Sequence, residues 1–240
     1  MNDNPALDSG AEKHIIAIHT SPYKQGGHTM NAWQRHGWIV GLIGAVFLSA
    51  VTGVAGDVVL SEIAWAGTSA SANDEWMEIH NRGDVDIDLI GWEVRFADVR
   101  ILLGEVGEST VEARTSILPA GGFLLLERTD DTTVADIDAD VIYKGLLPSG
   151  GVRIDRVDPS GVVVDWIDPE ESGWPGGGTA DHPIPYGSME RTEHGDWVSN
   201  NGQIRNGLDA KGDPINGTPK QLNSAEVMAR RAPAVRWLSP

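Results

Sequence analysis

The stretch VVLSEIAWAGTSASANDEWMEIHNRGDVDIDLIGWEVR, residues 58–95, constrains the fold of this chain more than any other feature. Val, Ile and Trp recur in short pieces, and Gly, Asn, Asp and Ser break the pieces apart. Segments that short, rich in β-branched and aromatic residues and regularly punctuated by turn formers, read as strands. The block predicts strands over 58–65, 75–81, 86–89 and 92–97, with an Asn81-Arg82-Gly83 turn after the second.

The pattern continues downstream. A weaker run at 101–103 leads into an insertion, and a further strand is predicted at 115–118. Pro119-Ala120-Gly121-Gly122 forms a turn into the apolar strand 123–128. Residues 152–157 alternate apolar and polar, with Val152, Ile154 and Val157 as candidates for the inner face. Asp158-Pro159-Ser160-Gly161 places Pro at the second turn position and so joins that strand to 162–167 as a hairpin. Residues 175–185 read as an irregular loop, and 196–198 as a short strand. Ser224 is placed to cap a short helix through Arg231, which Pro233 would stop. A second hydrophobic pattern does not appear in this 240-residue chain, so one domain is expected over 57–223.

Several of these segments carry a resemblance. Ser61-Glu62-Ile63, Gly67, Asp74-Glu75-Trp76-Met77-Glu78-Ile79-His80-Asn81 and Asp88-Leu89-Ile90-Gly91-Trp92 follow one another as in the opening of a lamin-tail domain. Leu118-Pro119 to Leu125, Ser188-Met189-Glu190-Arg191 and Gly217-Thr218-Pro219 to Asn223 resemble its later elements. The chain is similar to the prokaryotic exported form of that family. The resemblance implies an all-β, immunoglobulin-like β-sandwich that serves as an interaction or attachment module. The region is longer than a bare sandwich of about 100 residues, and long insertions between strands are expected to account for the excess.

The run GWIVGLIGAVFLSAVTGVAG, residues 37–56, carries no charged residue. It is long enough to cross a bilayer as a helix, and its small-residue end suits signal-peptide cleavage after Ala55 or Gly56. Translation from Met30 would give Arg35 just before the apolar core, as an ordinary signal peptide requires. Translation from Met1 would leave an N-terminal arm and a membrane anchor. The organisation read from sequence is thus an N-terminal extension over 1–36, a signal or anchor helix over 37–56, the sandwich over 57–223 and a tail over 224–240. In both cases the domain is placed outside the cytoplasm, and the membrane is met only through the apolar segment if it is retained. The tail is locally basic, through Arg230, Arg231 and Arg236, and reads as a frayed terminus. Docking on the sandwich is the alternative for it.

Residues 57–240 hold 15 Lys plus Arg against 32 Asp plus Glu. A surface with that balance repels nucleic acid, and the clustered cations that phosphate binding needs are missing. The expected partner is a protein or a cell-envelope polymer. The chain has no Cys, so disulfides and thiolate metal sites are excluded. His80, His182 and His194 sit in no motif that would give them a metal or a nucleophile. Glu62, Glu75 and Glu78 come close by sequence or strand pairing, but bonds to backbone groups explain them better than acid–base chemistry. A non-catalytic module is therefore expected, with a small secreted hydrolase as the remote alternative.

Two features are candidates for contact or metal. Trp76, Trp92 and Trp197 stand on predicted strands and are read as core. Trp65, at a strand end, and Trp174, beside the Gly-rich loop, are the ligand-binding candidates. Asp130, Asp131, Asp136, Asp138 and Asp140 form the candidate calcium loop, which would make this a calcium-dependent surface module. On a strand, alternate carboxylates would stand about 6.6 Å apart, too far for one ion to gather. The loop also lacks the Gly and Glu of an EF-hand, and no cofactor other than calcium is expected.

Overall fold

A computed structural model describes residues 57–104, 112–113, 115–169 and 172–231. The predicted signal or anchor helix at 37–56, the extension before it and tail residues 232–240 lie outside the described residues. Among the described residues no helix is long and apolar enough to cross a membrane.

The strands, in chain order, begin with β1 (Val58–Ala64), β2 (Trp76–Asn81), β3 (Ile87–Asp88), β4 (Glu93–Phe96), β5 (Val99–Leu102), β6 (Glu112–Ala113) and β7 (Ile117–Leu118). They continue with β8 (Phe123–Arg128), β9 (Val141–Tyr143), β10 (Ile154–Val157), β11 (Val163–Ile167), β12 (Met189–Arg191) and β13 (Trp197–Ser199), and helix α1 (Ser224–Arg231) follows. The large sheet runs β13-β12-β1-β2-β8-β9-β6, the smaller β11-β10-β4-β5, and β3 pairs with β7 in a ribbon. All pairings are antiparallel except β8 with β9.

One main core lies between the two sheets. Leu60, Ile63, Met77, Ile79, Leu124 and Leu126 of the large sheet share a cluster with Val94, Phe96, Ile101, Ile154 and Ile167 of the small one. This is the face-to-face packing of a β-sandwich, in which alternate side chains of each strand interdigitate. A polar clamp joins the sheets at one side. Asp165 of β11 accepts the Leu60 backbone N–H at 2.7 Å and both bonds of Arg191 Nη1 at 2.7 and 2.8 Å. Arg156 is buried beside it and lies 4.8 Å over the Trp92 ring.

The β1 strand carries a bulge. Its register to β2 shifts between Leu60 and Glu62, so Ser61 is an extra residue. Strict alternation would put Leu60 and Glu62 on the same face; the bulge leaves Leu60 and Ile63 in the core and turns Glu62 outward. That outer face is covered too. Ala64, Trp76 and Leu125 of the large sheet pack with Val134 of the 129–139 turns and Ile215 of the C-terminal segment. The chain after β13 therefore lies as a strap across the sheet.

Most predicted strands are present, with local differences. The strand expected at 86–89 is the two-residue β3: Asp86 just before it accepts Ala120 N, and Asp88, its last residue, accepts Ile90 N and starts the next turn. The 152–157 strand starts at Ile154, and β5 begins two residues earlier than read. Strands β6, β9 and β12 are not among the predicted strands; each is only two or three residues long. The 158–161 turn forms as expected, with Gly161 N bonded to Asp158 O at 2.9 Å. Ser224 does not cap α1 through its own side chain. Its hydroxyl donates to Glu190, and that carboxylate caps the helix by accepting Ala225 N. Residues 224–231 are docked rather than frayed, held also by Arg82 to Glu226 at 2.7 Å.

Candidate functional site

The outer face of the large sheet carries three carboxylates in a row. Glu190 of β12 and Glu78 of β2 are both cross-strand partners of Glu62 on β1, and all three are fully buried. The strap and its neighbours supply the donors. Glu62 accepts Thr218 N and Thr218 Oγ1, both at 2.8 Å, and the Ser188 hydroxyl at 2.5 Å. Glu78 accepts Ser61 Oγ at 3.2 Å and the Lys220 backbone N–H. Glu190 accepts Asn200 Nδ2 and Ser224 Oγ at 2.7 Å. Burial, and next the Glu190 charge, push Glu62 up to about 8. Burial and the Glu62 charge raise Glu78 well above the usual carboxylate range. All three lie buried beneath the strap, and the hydrogen bonds they accept hold it to the sheet.

Thus Glu62 and Glu78 do meet, as strand pairing suggested, whereas Glu75 stands apart. Glu75 accepts the Leu147 N–H at 2.8 Å and pairs with Arg128 at 3.1 Å. Burial raises it to about 6. His80 is buried and stacks on Phe123 with ring centroids 4.1 Å apart, an aromatic role. Burial, then the Arg82 and Arg230 charges, lower its pKa to about 4. His182 Nδ1 contacts its own loop, 3.1 Å from Ile184 O. His194 is exposed on another turn.

The five loop aspartates turn to nearby backbone in most cases. Asp130 accepts Thr132 N at 3.2 Å, Asp131 accepts Ala139 N at 2.7 Å, and Asp136 accepts Leu208 N at 2.7 Å. Asp140 accepts Leu125 N and pairs with Lys220. Asp138 is exposed. Among the described residues no group of three or more His, Asp or Glu side chains is arranged to hold a metal ion.

Trp65 and Trp174 are brought together. Their rings stack at 6.2 Å with an interplanar angle of 14°. Each indole N–H donates to a backbone carbonyl at 2.8 Å, Trp65 to Gly176 and Trp174 to Pro148. Trp65 lines a cleft of about 410 Å³, whereas Trp174 is not part of the lining and meets it only through its stack on Trp65. The floor and walls include Glu75, Leu147, Ala66 and Tyr186, and the exposed rim includes Leu146, Asn73 and Asp181. Gly177 lets the 176–178 loop approach Trp65: its φ is +76, and a Cβ there would lie 2.7 Å from the indole nitrogen. Tyr186 is held at φ +52, a strained conformation for a bulky residue at the cleft wall. Concave apolar surface with a few convergent polar groups is the usual form of a binding site.

A larger depression of about 520 Å³ is lined by His80, Arg82, Phe123, Glu193, Glu226 and Arg230. Its charges answer one another, Arg82 to Glu226 at 2.7 Å and Arg230 to Glu193 at 3.5 Å, so the Trp65 cleft is the stronger candidate. Sequence reasoning found Trp65 but missed Tyr186 and Leu146, which only loop packing brings to it.

The Lamin Tail Domain family matches this chain over residues 52–171. No curated protein matches it.

Proposed function

The chain belongs to the lamin tail domain family, and from that premise we propose that it works outside the cytoplasm as a binding and structural module without catalytic chemistry. The family is one of immunoglobulin-like structural domains, and such scaffolds carry function on loops held by a rigid sandwich. The carrying observation is the Trp65 cleft, built from three separate loops and backed by the Trp174 stack. The partner is a protein or a polymer of the cell envelope. Supporting this reading, the buried carboxylates Glu62, Glu78 and Glu190 accept structural hydrogen bonds on a closed face, away from the cleft.

The experiment is fractionation of native cells followed by capture of envelope material on the full chain and on Trp65→Ala. Recovery of the chain outside the cytoplasm, with capture weakened by the substitution, is the expected result. A cytoplasmic chain, or capture indifferent to Trp65, overturns it.

A further inference from the structure

The charged residues lining the Trp65 cleft are Glu75 at the floor and Asp181 at the exposed rim. Lys, Arg and His are missing from the lining among the described residues. Around it the field is negative as well. Asp74 is adjacent to Glu75 in the chain, and the Asp130 and Asp209 charges act on its carboxyl. The nearby cation Arg128 is turned to Glu75 and Asn73. The whole chain carries a formal charge of −17. Two aromatic rings, Trp65 and Tyr186, face the same space, and Leu146 stands 56 % exposed at its edge.

We propose that this cleft binds a lysine or arginine side chain together with the short stretch of peptide that carries it, an inference that rests on the cleft being the contact surface argued above. Aromatic faces attract a cation through their electron-rich rings. The methylene stem of Lys or Arg covers apolar surface such as Leu146 while its charged end seeks a carboxylate. A volume of about 410 Å³ exceeds one side chain and leaves room for neighbouring backbone. Anionic ligands are repelled by this lining, and a neutral sugar would leave the negative field unanswered.

The test titrates the full chain with a short peptide of alternating Lys and Gly, following tryptophan fluorescence and calorimetry. The same peptide with acetylated lysines and a neutral oligosaccharide of glucose serve as controls. Saturable binding is expected, weakened about tenfold or more by acetylation and several-fold on raising NaCl from about 50 to about 300 mM. Asp181→Asn should weaken it a few-fold; this residue is exposed, so the variant keeps its fold even where Trp65→Ala does not. Equal binding of the acetylated peptide, or tighter binding of the oligosaccharide, overturns the proposal. So does a chain dimer that disappears in Trp65→Ala, which would make a second copy the occupant. If the lysine peptide fails while envelope material is still captured through Trp65, the cation inference falls alone. If that capture is also lost from Trp65, the functional reading falls with it.

Discussion

Replacing Glu62 by Gln should stabilise this protein at alkaline pH, although Glu62 accepts three hydrogen bonds. Glu62 is the middle carboxylate of the Glu190–Glu62–Glu78 row and has no solvent exposure. Burial and its Glu190 neighbour raise it from 4.5 in the unfolded chain to about 8. Across that window the folded chain keeps a proton that the unfolded chain releases. Stability therefore falls as pH rises from about 4.5, by about 1.4 kcal/mol per pH unit for one full proton, and levels off above about 8. Sharing of protons with Glu78 blunts the slope, so the loss expected across the window is on the order of 3–5 kcal/mol. Gln has the same shape but no charge to bury. Its carbonyl can accept Thr218 N and Ser188 Oγ, and its amide can donate to Thr218 Oγ1, whose hydrogen then turns to Glu190 Oε1 at 3.3 Å. Near pH 4.5 the two proteins should melt alike. At pH 8 the variant should melt higher by roughly 10 °C, at about 2–4 °C per kcal/mol for a domain of this size. Thermal melts by circular dichroism from pH 4.5 to 9 give both slopes. An unchanged slope in Glu62→Gln, or a variant that melts lower at pH 8, would show that this carboxyl does not hold the proton.

Other perturbations probe different parts of the fold. Asp165→Ala removes the acceptor of Leu60 N and Arg191 and the charge facing buried Arg156, and should cost about 3–5 kcal/mol in urea unfolding; a loss under about 1 kcal/mol would remove the clamp from the account. Gly217→Ala places a Cβ 2.6 Å from Trp76 and 3.0 Å from Glu62, so strap and sheet must separate, for about 1–3 kcal/mol. A higher melting temperature in that variant would mean the contact is not tight. Melting should be the same in calcium and in chelator, since Asp130, Asp131, Asp136 and Asp140 already serve backbone N–H groups. A calcium-dependent rise of several degrees would restore the ion site.

Much of the framework was legible because local chemistry specifies it. Short β-branched runs between turn formers located most strands, and Asp158-Pro159-Ser160-Gly161 located the β10–β11 hairpin without tertiary help. Residues 188–191 were recognisable as a motif, but their duties were not. Ser188 bonds Glu62, Met189 enters the core, Glu190 extends the carboxylate row and Arg191 clamps Asp165. Three of those roles join residues more than a hundred positions apart, Arg191 reaches Asp165 across 26, and no periodicity in the chain encodes any of them. The bulge at Ser61 is the sharpest case. Composition made 58–65 a strand, yet a single extra residue decides that Glu62 faces the strap and Ile63 the core. Trp65 could be singled out from its place at a strand end, while the cleft it lines needed Tyr186 and Leu146 from distant loops. The sequence alone determined strand identity, turns and acidity, because each depends on neighbours along the chain. Which carboxylates are buried, which face is strapped and where a cleft opens were decided by tertiary packing, because each depends on neighbours in space.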